Sequence, residues 1–585
     1  MKLKRLIALA LAALMVLALA ACGGNNGGNA NSPAPDNGSS TPAEGGDTAE
    51  PTGTIADEFS VQIGPNPETL DPALNSAVDG GNMLVTLFET LLIIDENLEV
   101  QPGQAESYTV SDDGLVWTFT MRDGLKWSDG SDLNAKDFEY SFKRLADVEL
   151  AAPYGSTVLN MVDGYQAAIG NPDEEGNMTT EPDPELLNVK ASDDGKTLTV
   201  TLAYPCSYFD KIVAFGTMSP VQKAIVEANG DAWATKPETY ICNGPYMIAE
   251  WTPGERIVCK KNPNYVGGWD SSRIVTDTIN FLLLEDSSAA FAAYNSGEAV
   301  MIKDVPTEEI PSLTKVEDGG DFYVDTILGT YYLSMNDAVA PFNDVNVRKA
   351  LNLAIDREYV ANVIMQGTYS PAYNFVGPGI DDAGAPGAFY DNTKAANGGK
   401  PFISEDYEEN KKLAQEALAA AGYPGGEGFP TITYSTNEAG YHVAVAEYLQ
   451  SAYKEVLGIT MNIDKVEWAS FTPLRRAGDY QMSRNGWVMD YNDASNIIEL
   501  LETGNGNNDG KYSNPAFDAA IAASRVADQG EHFKALHEAE KIMMEDYGCI
   551  PVAYYNDFWL QSPSLKGSWH SPYGYWFFQY AYVEE

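Results

Sequence analysis

The chain has 585 residues, too many for one hydrophobic core, so two or more domains are expected. Its 36 basic and 84 acidic side chains leave a formal charge of -48, which excludes nucleic acid as a partner because nothing offsets phosphate repulsion. Hydrophobic residues at 44% and aromatics at 11% indicate a globular chain, and the acid reads as a solvated shell.

Lys2, Lys4 and Arg5 precede an apolar run over residues 6–21. The run is too short and wrongly flanked to span a membrane, so residues 1–21 read as a cleavable export leader. After Cys22, residues 23–54 are Gly, Asn, Pro, Ser, Ala, Thr and acid, and 22–54 form one stretch. Nothing there is large enough to seed a core, and a disordered tether is expected.

The first globular stretch, Val61-Gln62-Ile63-Gly64-Pro65-Asn66-Pro67, reads as a short strand stopped by prolines. A helix is expected over 84–92. Residues 115–121 place Leu115, Trp117, Phe119 and Met121 in alternation, the period of a half-buried strand. Asn134 then caps a helix carrying Phe138, Phe142 and Leu145 on one face. Residues 198–202 alternate again, and Thr252-Pro253-Gly254-Glu255 turns a hairpin.

Beyond Thr330 the pattern changes. A strand over 332–336 leads to a helix over 345–365, with Val347, Leu351, Ala354 and Ile355 on its apolar face. Helices over 407–421 and 441–457 stop at Gly422 and Gly458, and strands over 431–434 and 460–466 alternate with them. That alternation predicts an α/β sheet with ligands at strand ends.

The richest chemistry lies in Arg475-Arg476 and in Arg484-Asn485-Gly486-Trp487-Val488-Met489-Asp490-Tyr491. A carboxylate near arginine forks suits a zwitterion, because each end of a desolvated zwitterion needs an opposite charge. Singly, Trp487 could be core and Asp490 a loop cap. Enzyme chemistry is poorly provided for. His442, His532, His537 and His570 are the only histidines, and no phosphate loop, dinucleotide fingerprint or Gly-x-Ser-x-Gly occurs. No Cys-x-x-Cys or His-rich spacing offers a metal site, and no cofactor is expected.

Several runs together resemble one family. They are Pro67-Glu68-Thr69-Leu70-Asp71-Pro72, Lys126-Trp127-Ser128-Asp129-Gly130 with its following Asp137-Phe138-Glu139-Tyr140-Ser141, Asn243-Gly244-Pro245-Tyr246, residues 347–357, and Gly486 to Asp493. The chain resembles the extracytoplasmic solute-binding proteins of family 5, the oligopeptide- and dipeptide-binding proteins of bacterial ABC importers. The resemblance implies a two-lobed α/β fold of the periplasmic-binding-protein type, class II, with an inserted subdomain. Residues 55–79, 223–325 and 555–585 would form the first lobe, 80–222 the insertion and 326–554 the second lobe.

It also implies a monomer that closes on a short peptide and delivers it to a membrane permease. In that reading Asp490 grips the peptide ammonium and Trp487 walls the site, while Arg475, Arg484 and His442 meet carboxylate ends. Tyr154 would stand at the cleft edge or pack in the core. Asn66 would face the cleft or serve its turn, and His442 could equally be an exposed residue at a helix start.

Leu19-Ala20-Ala21-Cys22-Gly23 is similar to the lipobox of bacterial lipoproteins, which implies a lipidated Cys22 on the outer face of the cell membrane. Placing family motifs near one another suggests a Cys206–Cys242 disulfide. Relatives of this kind also take nickel, haem, glutathione or sugars, so another solute is the alternative cargo, and a lipoprotein hydrolase is the rival of a different class.

Overall fold

The computed structural model describes residues 54–170, 180–438 and 440–585. The expected leader, Cys22 and all but the last residue of the expected tether lie outside the described residues. No helix among the described residues is long and apolar enough to cross a membrane.

Apolar side chains gather into two large cores. One draws on Phe59 to Met301 and on the C-terminal tail from Trp559 to Ala581. The other runs from Ile327 to Tyr555. An eleven-stranded sheet joins them. At its centre the long strands Phe322–Met335 and Ile550–Gln561 pair antiparallel and run from one core to the other. The fold is thus two α/β lobes connected by crossing strands.

In the first lobe Glu58–Gln62 pairs parallel with Thr278–Leu282 and Met301–Ile302. A separate four-stranded antiparallel sheet holds Val116–Met121, whose Trp117, Phe119 and Met121 are buried in alternation. The Ala135–Leu145 helix packs beside it. Asn134 accepts from the Lys136 amide while Asp137 accepts from the Asn134 amide, which closes a capping box around two otherwise orphaned donors.

In the second lobe Ile432–Asn437 pairs parallel with Met461–Val466 on one side and with Met482–Val488 on the other. The crossover helices are Gly440–Ala452 and Trp468–Ala477. Parallel strands need such crossovers, and their C-terminal ends leave a crevice where a ligand can sit.

Two expected helices differ. The one read over 84–92 is Val78–Leu87, and Leu92–Ile94 is a strand. The Asn243 side chain takes both the amide and the carbonyl of Glu89, replacing the helical partners there. The helix read over 345–365 ends at Leu353, and a new one starts after Asp356, whose side chain accepts from the Tyr359 amide. The buried Arg357 guanidinium donates to the carbonyls of Asn352, Ile355 and Pro551, which fixes the break.

The expected Cys206–Cys242 disulfide is absent: Cys206, Cys242, Cys259 and Cys549 are free, buried thiols. Cys242 directs its thiol to the Tyr246 carbonyl in the first lobe at 3.5 Å, whereas Cys206 lies beside Tyr208 and feels Asp493 of the second lobe. Burial pushes both thiols up, that of Cys242 to about 12, which leaves them inert.

Candidate ligand site

The strand Met482–Val488 carries the motif to the lobe boundary, paired with Phe322–Met335 through Leu333 to Arg484 and Thr330 to Trp487. Gly486 is required here by a close approach: a Cβ on it would stand 2.0 Å from the Tyr555 hydroxyl. Beyond Val488 the chain leaves the sheet, and a short helix begins at Ser495.

Asn496, in the first turn of that helix, organises the turn. Its Oδ1 accepts from the Trp487 indole at 2.8 Å and from the Asp490 amide at 3.2 Å, and its Nδ2 donates to Asp490 Oδ2 at 3.3 Å. It is 3% exposed. No sequence argument singled it out. The available signal was a polar amide entering an apolar helix beside Ile497 and Ile498, where an asparagine usually bonds locally instead.

Asp490 is 8% exposed. Burial lifts its carboxyl to about 7, against the opposing pull of the Asn496 amide and the Tyr154 phenol, both of which hydrogen-bond it. Among the described residues it forms no ion pair. Tyr154 reaches it from the other side of the cleft, with its ring edge-on to Phe215 at 5.2 Å and 6.0 Å from that of Trp487. Asp490, Trp487 and Tyr154 thus meet at one place.

Asp490 also lines a cavity of about 60 Å³ between the lobes. Leu84, Phe88 and Phe215 wall it on one side, Tyr491 on the other, and Tyr573, Tyr575 and Phe577 of the C-terminal tail close it.

The other expected residues fall elsewhere. Arg484 lies among Tyr331, Tyr434, Tyr441 and Tyr555, with its guanidinium 5.6 Å from the Tyr331 ring centre. His442 stacks on the same Tyr331 ring at 5.6 Å, and its Nδ1 has no hydrogen-bond partner among the described residues. Burial, and then the Arg484 charge, hold its pKa well below the usual imidazole value, so it is neutral. His442 is therefore buried, not an exposed helix-start residue.

Arg475 pairs with the buried Asp509 at 2.8 Å, which uses its charge within the lobe. Asn66 is exposed in its turn, where its side chain bonds the Pro67 carbonyl and the Gly254 amide, and it does not line the cavity. His532 and His537 sit in buried or half-buried pairs with Asp493 and Asp382.

Two lobes with a motif-bearing strand at their boundary define a solute-binding protein. The chain matches the Bacterial extracellular solute-binding proteins, family 5 Middle, over residues 99–509, and it belongs to that family. The periplasmic oligopeptide-binding protein OppA of Salmonella typhimurium is 35% identical over 504 residues, 86% of this chain and 87% of its own. The oligopeptide-binding protein OppA of Bacillus subtilis is 30% identical over 573 residues, 96% of each chain. Among solved structures, the Haemophilus influenzae OppA complex with RPPGFSPFR superposes with a TM-score of 0.78 at 29% identity, covering 91% of this chain and 100% of that one.

Proposed function

We propose that this chain is the lipid-anchored substrate-binding protein of an ABC importer and that it captures short oligopeptides between its lobes. The observation that carries the reading is Asp490, a buried carboxylate held only by an amide and a phenol. A desolvated charge of this kind is costly unless a cation or a proton meets it, and a peptide ammonium is such a cation. Asn496 and Tyr154 orient the carboxylate, and Trp487 walls the ligand. Arg484 and neutral His442, which stand together on Tyr331 away from the cavity, are the candidates for the carboxylate of a longer peptide.

The names of the relatives support oligopeptides as the cargo. Closure follows from differential affinity: the ligand touches both lobes only when they meet, and the closed form is the one a permease would engage. The lobe boundaries proposed for this motion are those given by the resemblance. Lipidation of Cys22 rests on the Leu19-Ala20-Ala21-Cys22 run.

Native mass spectrometry of the protein purified without denaturation tests the cargo. Masses matching peptides of a few residues, displaced by added tripeptide, support the reading. Retention of a single non-peptide solute that tripeptides cannot displace rejects it.

A further inference from the structure

The α-carbon of a peptide's first residue is one bond from its ammonium, and the first side chain branches from that carbon. With the ammonium on Asp490, the first side chain starts close to Asp490 and needs space there. That space is the inter-lobe cavity, and its wall is mostly apolar, with Leu84, Phe88, Ile93, Phe215, Tyr575 and Phe577 outweighing the hydroxyls of Thr90, Ser219 and Ser571. We propose that this cavity selects peptides whose first residue carries a bulky apolar or aromatic side chain. The inference rests on the peptide reading of the site and adds to it the chemical class of the first residue.

Charge along the wall supports the selection. Glu89 borders the cavity but is held by Tyr265, the Gln104 amide and the Gly268 N–H. Lys211 at the rim donates to the Asn492 carbonyl at 2.9 Å and faces Asp381 at 3.6 Å. Glu89 and Asp490 both lack an ion-pair partner among the described residues, but Glu89 is met by three hydrogen bonds and Asp490 by two. A polar first side chain would lose water and meet few polar groups, since Thr90 donates to the Leu92 carbonyl and Ser571 accepts from the Tyr573 and Tyr575 amides, and an acidic one would face the Asp490 carboxylate. Each methylene buried there is worth roughly fourfold in affinity.

The wall is firm on one side and open at one point. Tyr575 packs directly on the Val78–Leu87 helix, where a Cβ on Gly81 would stand 2.4 Å from its ring. Gly216 also lines the cavity, has no left-handed backbone, and a Cβ added to it would meet only the Leu84 Cβ, at 3.8 Å. A larger side chain at Gly216 would therefore grow into the cavity without backbone strain.

The test is calorimetry of a tripeptide series X-Ala-Ala, with X as Phe, Leu, Ala, Ser and Asp, on the full chain and on Gly216→Leu. On the unaltered chain, Phe and Leu should bind at least tenfold tighter than Ala and Ser, with Asp weakest. Gly216→Leu should weaken the Phe peptide at least tenfold and leave the Ala peptide within about twofold. Equal affinities across X, all lost on N-acetylation, would overturn this inference and leave the peptide reading standing. A uniform loss across X in Gly216→Leu would also overturn it. Binding by none of the peptides would overturn the peptide reading, and this inference with it.

Discussion

At the residue scale the account rests on a buried acid. Because Asp490 titrates at about 7 in the folded, empty protein, above the ordinary carboxylate value, the folded state holds an extra proton below that pH. The empty form therefore loses stability as pH rises from about 4 through 7, and the ligand ammonium offsets that loss. Peptide affinity should fall as pH drops below about 7, approaching roughly tenfold per unit, and fall again above about 8 as the peptide amine loses its proton. Asp490→Asn should weaken binding by about 1.5–3 kcal/mol and flatten the acid limb. Calorimetry at closely spaced pH values reads both, and an acid limb unchanged in Asp490→Asn contradicts the assignment. Asn496→Ala should leave the Trp487 indole and the Asp490 amide without their acceptor. A cost of about 1–3 kcal/mol is expected in thermal unfolding, with a shift in tryptophan emission.

Legibility at this scale followed the length of the motif. Asp490 drew notice as a carboxylate near arginines, and Trp487 through the motif that resembles the family's. Asn496 could not, because an asparagine's role depends on which groups the turn brings to it. Arg475 and Arg484 look alike in sequence. Only tertiary packing gives Arg475 to Asp509 and Arg484 to the tyrosines.

At the scale of elements, the strands with strict alternation and the helices with clear caps formed near where their patterns placed them, as Val116–Met121 and Ala135–Leu145 show. The misplaced end at Leu87 came from a distant group, Asn243, and the break after Leu353 is held in part by another, the Pro551 carbonyl that accepts from Arg357, which no local pattern reveals. One element bears on closure. The Phe209–Val213 helix meets the second lobe through Lys211, and Tyr208 just before it stacks on Tyr491 with ring centres 5.2 Å apart. Lys211→Ala should remove about 1 kcal/mol from the closed form, a roughly fivefold loss of peptide affinity with no change in melting midpoint beyond a few degrees. Equal affinity in the variant would show that this contact does not contribute to closure.

At the scale of the whole molecule, the closure proposed above would turn on the long strands between the two cores. Small-angle scattering should show compaction on adding peptide, and Asp490→Asn should need more peptide to reach it. The same scale includes the membrane. The lipidation proposed for Cys22 predicts that Cys22→Ser releases the protein from membranes washed in high salt, and a variant that stays bound contradicts it.

The most direct test of the account is a paired titration of the unaltered protein by calorimetry, with one tripeptide and its N-acetylated twin at pH 7.5. The account predicts tight binding of the free peptide and a loss of at least tenfold on acetylation, because the amide has no charge for Asp490. Equal affinities for the two would contradict it.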